Sequence, residues 1–311
     1  MTRHITTRVV DLAATAARMY VRHAPVSVGK VAITRKFLNA WLRDHSRRVV
    51  ARTSFGARFH ADTQDLIQRY IYAFGMWEPP LTRWLQRTLQ PGDTFVDVGA
   101  NIGYFSLLAS RLVEARGSVV AIEAFPDFHA ALSENIALNQ VHNVRAVNEA
   151  VSDRDEVLHF TLASSANMGA NSIVPYAGEA ESQADVPART LPDILTSNEL
   201  ATARVIKVDV EGAEGAVVRG LIPVLEHLRP DAELAVEVTP QRLIALGDTA
   251  EQLMDALLRN GFHPYRLPND YNAFSYPGAV RGPGPVPRRW HGVVEDETEF
   301  VFSRTDAEHL S

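Results

Sequence analysis

Residues 94–123 constrain the fold of this 311-residue chain more than any other segment. The apolar, β-prone residues 94–98 predict a buried strand, and a glycine-bearing turn at 99–103 follows directly. Apolar residues at helical spacing over 104–113 and a second apolar strand come next, and the segment ends on Glu123. Strand, tight turn, helix, strand and terminal acid together predict a βαβ nucleotide-binding unit.

The turn indicates which nucleotide fits. Gly99 and Gly103 let backbone approach a ligand, but Asn101 stands where dinucleotide-binding loops have their second glycine. Asp97, inside the first strand, would repel a pyrophosphate. S-adenosylmethionine (SAM) fits better, because its ammonium and sulfonium groups are attracted to nearby acid. Its carboxylate suits the helix N-terminus, and Glu123 can accept from both ribose hydroxyls.

Three motifs occur in a recognisable order along the chain. They are Asp97-Val-Gly99-Ala-Asn101-Ile-Gly103, Glu123-Ala-Phe-Pro126 and Lys207-Val-Asp209-Val-Glu211-Gly212-Ala-Glu214. Together they resemble the FkbM-like family of SAM-dependent methyltransferases, over residues 65–225 and more loosely to 302. The resemblance implies an α/β, Rossmann-like class I methyltransferase fold, with a doubly wound, mostly parallel seven-stranded sheet. It also implies SAM as methyl donor and S-adenosylhomocysteine as product. The alternative is a βαβ unit of another Rossmann-like protein.

Composition excludes several kinds of site. The chain has no cysteine, so disulfides, thiolate metal sites and cysteine nucleophiles are excluded. No run approaches 18 apolar residues, so we expect no membrane span. No signal-peptide pattern is present, which favours a cytoplasmic protein.

The net charge of −6 conceals an asymmetry. Residues 1–60 carry 12 Lys and Arg against two Asp, a formal charge of +10, which leaves −16 on the remainder. Helical patterns at 4–22 and 33–50 make 1–60 a basic helical extension of a SAM-binding domain at 61–311. Without interleaved aromatics or a binding motif, these basic residues do not predict a nucleic-acid partner. We expect the extension to pack on an acidic body, its own or that of a second subunit in a homo-oligomer. Docking to an anionic membrane surface or an acidic carrier protein is the alternative.

Two segments are candidate lids beside the cofactor. The Gly-x-x-Glu-Pro segment ahead of the first strand also resembles the family, which implies a SAM contact by Glu78. A simple helix-start acid is the alternative for this residue. Residues 268–289 form a long Pro- and Gly-rich loop that includes Tyr271 and Tyr276, and loops of this length are often lids.

Two further segments are assigned by position. The class I fold implies that the end of a third strand, at 143–147, borders the adenine, which makes Ala150 and Val151 cofactor contacts, with Glu149 beside them. The small, polar residues 164–172 lie between two β-like segments. They are either an exposed turn or a substrate loop.

Lys207, Asp209 and Glu211 follow a buried strand at 204–208. Open α/β sheets bind ligands at the carboxyl ends of their strands, and mixed charges there are costly unless they pair or act on a ligand. We predict Asp209 or Glu211 as general base, with Lys207 lowering the pKa of a substrate hydroxyl, whereas His291 is a weaker candidate. Asp209 is also a predicted contact of the cofactor, together with Asp97 and Asn101 of the first motif. A Lys–carboxylate cluster that braces the turn is the alternative.

Glu237 ends a further strand and is another candidate acid of the pocket. With Asp209 and Glu211 it could supply hard carboxylate ligands to Mg²⁺. The spacing does not establish a divalent metal site, and we predict none.

The family resemblance implies an O-methyltransferase acting on a hydroxyl of a small-molecule acceptor, of natural-product or sugar type. One alternative is a SAM-dependent methyltransferase acting on a nitrogen or carboxylate of a peptide. A second is a non-catalytic nucleotide-binding protein of the same fold. A nicotinamide-dependent dehydrogenase is disfavoured by the Gly-x-Asn-x-Gly loop and the absence of a Ser/Tyr-x-x-x-Lys pair.

Overall fold

The computed structural model describes residues 2–26, 28–162, 182–270 and 272–310. The predicted turn or substrate loop at 164–172 lies outside these ranges, as does Tyr271. The α-helices are α1 (Thr2–His23), α2 (Lys30–Ile33), α3 (Asn39–Asp44), α4 (Leu66–Phe74), α5 (Pro79–Thr88), α6 (Tyr104–Val113), α7 (Pro126–Asn139), α8 (Leu191–Ile194), α9 (Ser197–Thr202), α10 (Glu214–Leu221), α11 (Pro240–Ala245), α12 (Ala250–Arg259) and α13 (Tyr276–Ala279).

A π-helical turn, Thr34–Leu38, joins α2 to α3, and a 3₁₀ helix, Ile222–His227, follows α10. The strands are β1 (Arg48–Arg52), β2 (Arg58–Asp62), β3 (Thr94–Val98), β4 (Ser118–Ile122), β5 (Val144–Val147), β6 (Ala150–Ser152), β7 (Glu156–Leu162), β8 (Ser182–Thr190), β9 (Ala203–Val208), β10 (Glu233–Val238), β11 (His263–Leu267), β12 (Arg288–Arg289) and β13 (Thr298–Ser303).

The central sheet has the order β12-β11-β13-β10-β9-β3-β4-β5 in the part of the chain described. Strands β5, β4, β3, β9 and β10 are parallel neighbours, and β13 inserts antiparallel between β10 and β11. The predicted class I methyltransferase fold is confirmed, and the two-residue β12 adds an eighth strand at one edge. The chain leaves β3 towards β4 on one side and returns at β9 on the other. Such a reversal opens a crevice at the carboxyl ends of the strands.

Helices cover both faces of this sheet, which is why its strands are apolar on both sides. Side chains such as Phe95, Val205 and Val301 pack on one face under α4, α5 and α6. Those such as Val96 and Val236 pack on the other face under α10 and α12. The separate sheet β6-β8-β7 lies beyond the end of β5.

The N-terminal region differs from the prediction in one element. The second predicted helix, 33–50, ends at Asp44, because Arg48–Arg52 is a strand. This strand pairs antiparallel with Arg58–Asp62, and its Val49 packs beside the core. The hairpin crosses residue 60, where the predicted extension ends.

Several basic residues of the extension donate to backbone carbonyls, and three others form ion pairs with aspartates of the same chain. The guanidinium of Arg18 donates to the carbonyl of Tyr72 at 2.9 Å. The buried ammonium of Lys30 donates to the carbonyls of Val21 and Ala24, at 2.8 and 2.6 Å. Within the described ranges, no helix has both the length and the apolarity that a membrane crossing requires. Homo-oligomerisation through these helices stays a prediction.

Candidate active site

A cavity of about 300 Å³ lies at the carboxyl ends of β3, β4, β9 and β10. It holds most of the predicted site residues. Those in its wall are Glu78, Gly99, Asn101, Glu123, Ala150, Val151, Lys207, Asp209 and Glu211. Asp97 and Gly103 are not in the wall; they lie immediately behind it.

Gly99 is required where the ends of β3 and β9 meet. Its φ is +80°, and a Cβ at this position would lie 1.8 Å from the carbonyl oxygen of Asp209. Gly103 has φ +88°, and a Cβ there would lie 2.5 Å from a methyl group of Leu132. Both glycines therefore place backbone where a side chain has no room, and α6 begins directly after the second of them.

Glu123 is fixed at the tip of β4 by backbone donors. Its two carboxylate oxygens accept from the N–H of Asn101 at 2.7 Å and of Phe125 at 2.9 Å. The side-chain amide of Asn148 donates to the carbonyls of Glu123 and Ala124, which holds the same loop from below. Burial raises the pKa of Glu123 to about 7, against the opposing effect of the two N–H donors. A carboxylate has about four acceptor positions, so two stay available for hydroxyl donors.

The wall next to Glu123 is an apolar slot. Phe125 and Phe128 are buried with ring centroids 5.4 Å apart, and Leu158 and Phe160 of β7 face the same space with Ala150. A slot of this kind suits a flat aromatic ring. None of these four large side chains was predicted from the sequence, although the alternation along 156–162 indicated that the two on β7 share one face.

Lys207 is buried between two carboxylates. Its ammonium donates to Asp209 at 2.9 Å, lies 3.9 Å from Asp97 and sits over the Phe105 ring. Burial alone would lower the pKa of Lys207, but the nearby carboxylates outweigh it and raise that pKa. Asp97 also accepts from the Ser106 hydroxyl at 2.5 Å; burial raises its pKa, against the effects of Lys207 and Ser106. Asp97 is therefore a counter-ion of Lys207 and lies behind the cavity wall.

The three acids that follow β9 have different environments. The Asp209 side chain is 26% exposed and opens to the cavity. Glu211 forms an ion pair with Arg242, a residue that the sequence analysis did not single out. Glu214 accepts from the N–H groups of Val210 and Gly212, and burial raises its pKa to about 7. Asp209 is the acid of this motif that faces the cavity without an arginine partner in the described structure.

The two candidate lids meet at Glu78. The backbone N–H of Glu78 donates to the hydroxyl of Tyr276 at 3.1 Å. Glu78 also lines the cavity, directly before α5 begins. Arg83 and Arg87 donate to carbonyls of the 280–285 segment, which fastens this loop to α5. The predicted loop at 268–289 thus contains the short helix α13 and packs beside the cavity.

Further acids line the far end of the cavity. Glu237 lies in its wall at the end of β10, as predicted by position, and Glu297 joins it from the segment before β13. The sequence analysis did not single out Glu297. Among the residues that the structure describes, no three His, Asp or Glu side chains are arranged to hold a metal ion.

Comparison with known proteins identifies the family. A model of the methyltransferase FkbM domain matches residues 97–264, just over half of the chain. The ribosomal protein L11 methyltransferase of Cupriavidus taiwanensis is 35% identical over 85 residues, which are 26% of this chain and 28% of that protein. The chain thus spans little more than a quarter of the length of this relative.

Two solved structures have similar folds. Methyltransferase FkbM from Methylobacillus flagellatus has 13% identity and a TM-score of 0.41, covering 76% of this chain and 52% of its own. Aeropyrum pernix fibrillarin, solved with bound SAM, has 10% identity and a TM-score of 0.39, covering 71% of this chain and 73% of its own. From the domain match, we conclude that the chain belongs to the FkbM family of methyltransferases.

Proposed function

We propose that this protein is a SAM-dependent methyltransferase that acts on a hydroxyl group of a small-molecule acceptor, of natural-product or sugar type. The observation that carries the proposal is the Asp209 carboxylate, which opens to the cavity and is hydrogen-bonded to a buried ammonium, that of Lys207. An alcohol must lose its proton to become an effective nucleophile, and a carboxylate at this position can accept it.

The residues present fit SAM. The cavity volume of about 300 Å³ is at the lower limit for a small-molecule site. Glu123 has acceptor positions for ribose hydroxyls, and the Phe125–Phe128 slot suits the adenine. The backbone around Gly99 leaves room that a Cβ would fill. When bound there, SAM supplies a methyl group activated on a sulfonium centre.

The protein's own residues then have separate roles. Asp209 accepts the proton of the acceptor hydroxyl, and the oxygen forms its new bond to carbon. Lys207 orients Asp209 through their hydrogen bond, and the raised pKa of Lys207 keeps its ammonium charged. The apolar and aromatic wall, including Phe105 and Trp77, excludes water, so the hydroxyl of the acceptor is the nucleophile in reach.

A peptide acceptor is the second candidate. Its support is the likeness to ribosomal protein L11 methyltransferases, whose name specifies a protein substrate. That likeness extends over 26% of this chain, so it does not reach the whole acceptor side of the cavity. We favour the small-molecule acceptor because Asp209 opens into a cavity of about 300 Å³, and Glu78 in the wall of this cavity donates to Tyr276 of the 268–289 segment.

The test is methyl transfer from methyl-labelled SAM to separate panels of polyols, sugars, phenols and peptides. We expect Asp209→Asn to keep its affinity for S-adenosylhomocysteine in calorimetry and to lose about 10²- to 10⁴-fold in turnover. Asp255→Asn makes the same chemical change on an exposed face of α12 and serves as the control. Full turnover by Asp209→Asn would remove this residue from the mechanism, and label found only in peptides would favour the second candidate.

A further inference from the structure

The acceptor end of the cavity has more acid than base. Beside the Lys207–Asp209 and Arg242–Glu211 pairs, its wall includes Glu237. Glu78 and Glu297 add to the same surface, so carboxylates outnumber cations among the described residues there. An acceptor that binds at this end meets a negative potential.

A small recess extends this acidic end. It has a volume of about 20 Å³ and shares Glu237 and Glu297 with the main cavity. Its wall adds Glu299, and also Arg266, whose guanidinium lies over the Trp290 ring, 5.2 Å from the centroid.

Two of these acids lie directly opposite each other in the sheet. Glu237 of β10 and Glu299 of β13 are register partners in an antiparallel pair, so their side chains lie on the same face. They are 8% and 6% exposed. Like charges at this position destabilise a sheet, and fold stability alone therefore does not account for the pair.

The same level of the sheet contains the proposed base. Val236 pairs with Val208 on the neighbouring parallel strand. The next residue on each strand, Glu237 and Asp209, therefore lies at the same level of the sheet. Burial, and then the charge of nearby carboxylates, raises the pKa of both Glu237 and Glu299 well above the usual value, so a bound positive charge is needed to hold the two ionised together. Asp209, Glu237 and Glu299 thus form a row of carboxylates across three strand ends.

One atom of this row has no partner inside the described structure. Oε1 of Glu299 is buried and accepts no hydrogen bond from any residue that the structure describes. Leaving such an acceptor unsatisfied is costly, and each case in a native protein needs an explanation, for instance a bound group. A hydrogen-bond donor on a ligand would satisfy this atom.

We propose that the acceptor carries a protonated amine next to the hydroxyl that is methylated, and that Glu237 and Glu299 hold this ammonium group. The acceptor class is then an amino alcohol, such as an amino sugar. This inference rests on the proposed O-methyl transfer. An ammonium offers three donors and a positive charge, so it satisfies the buried oxygen and offsets the facing carboxylates together. A neutral polyol offers donors without the charge, and an anionic acceptor is repelled.

The arrangement also directs the methyl group to oxygen. The ammonium keeps all its N–H bonds, so its nitrogen has no lone pair with which to attack carbon. The hydroxyl gives its proton to Asp209 and forms the O–CH₃ bond as the S–CH₃ bond breaks and the thioether leaves. Ionised carboxylates beside the amine raise its pKa and maintain this selectivity.

The test uses three matched ring compounds on the protein saturated with S-adenosylhomocysteine. They are trans-2-aminocyclohexanol, trans-cyclohexane-1,2-diol and trans-2-hydroxycyclohexanecarboxylate, which differ in charge at one substituent. Dissociation constants are measured by NMR titration at pH 7.5. We expect the amine to bind at least tenfold more tightly than the diol, and the carboxylate to bind most weakly.

Two variants test whether Glu299 and Glu237 cause the preference for the amine over the diol. We expect Glu299→Gln to lower the affinity for the amine about tenfold and to leave that for the diol within twofold, and Glu237→Gln to act in the same direction. Glu295→Gln, an exposed residue nearby, removes the same charge and is the control. Affinity for S-adenosylhomocysteine, measured on each variant, reports whether the cavity is intact, and Glu237→Gln is used where Glu299→Gln fails to fold.

The outcomes separate the two proposals. Equal binding of amine and diol, no binding of any of the three compounds, or an equal effect of Glu295→Gln and Glu299→Gln overturns the ammonium site. If S-adenosylhomocysteine binds and hydroxyls are methylated in those cases, the proposed function stands alone. If methyl transfer to hydroxyls is absent from every panel, the proposed function fails first.

Discussion

Replacing Gly99 by alanine tests whether the turn after β3 is shaped by close contact with the end of β9. Two costs arise at this position. A residue with a Cβ at φ +80° loses about 1–2 kcal/mol relative to glycine. The new Cβ would also lie 1.8 Å from the backbone oxygen of Asp209, where carbon atoms are not found below 3.0 Å, so one strand end has to move. Overpacking of this kind costs about 1–3 kcal/mol, which gives a total of about 2–5 kcal/mol.

Gly92 offers a matched control for the conformational part. Its φ is +98°, and a Cβ added there has no atom within 4 Å. Gly92→Ala should therefore lose about 1–2 kcal/mol in the free energy of unfolding and keep its affinity for S-adenosylhomocysteine. Gly99→Ala should lose more stability and at least tenfold in that affinity, as measured by urea denaturation and calorimetry. Equal results for the two variants would show that the contact with Asp209 does not shape the site.

Two further predictions concern the cofactor end of the cavity. Phe125→Ala should weaken S-adenosylhomocysteine binding by about 1–2 kcal/mol, roughly tenfold, because the adenine loses one wall of its slot; an unchanged dissociation constant in calorimetry would place the adenine elsewhere. The pKa of Glu123, raised to about 7 by burial, makes binding depend on pH, because ribose hydroxyls donate to the ionised carboxylate. The affinity of the wild-type protein for S-adenosylhomocysteine should fall about tenfold from pH 8 to pH 6. The affinity of Glu123→Gln should stay constant over this range. The free energy of unfolding of the free protein changes with pH in the opposite direction. Because the pKa of Glu123 is higher in the folded than in the unfolded chain, its protonation stabilises the fold fully below pH 4.5, and this contribution is lost as the pH rises through 7.

The nucleotide-binding half of the site could be predicted because its signals are local. The strand, the turn at Gly99 and the acid at Glu123 are contiguous, and each has a sequence preference set by its own backbone geometry. The position of Ala150 beside the cofactor could also be predicted, since the third strand of such a unit ends next to the second. The apolar slot was harder to predict, because Phe160 reaches it from a strand of a separate small sheet.

The acceptor half depends on contacts between distant segments. Glu299 meets Glu237 only because β13 inserts antiparallel beside β10, and no periodicity around either residue reveals that register. Arg242 reaches Glu211 from the start of α11 in the same way. The error at residues 48–50 has a related cause. Val49 continues the apolar stripe of the predicted helix, but pairing with 58–62 favours a strand, and tertiary contacts override a pattern of this kind.

Two roles are proposed for Lys207, bracing the turn after β9 and positioning Asp209 for proton transfer, and they can be separated experimentally. Removing one member of a buried charge network costs about 3–5 kcal/mol, so Lys207→Met should be strongly destabilised, with Asp97 left 1% exposed beside Ser106 alone. Asp97→Asn in the same chain removes the orphaned charge and should restore about half of that loss. If Lys207 only braces the turn, the double variant should regain turnover together with stability. If Lys207 orients Asp209 for proton transfer, turnover should stay low in the double variant while its free energy of unfolding recovers. Parallel recovery of both quantities would assign Lys207 to the fold and leave Asp209 to act without it.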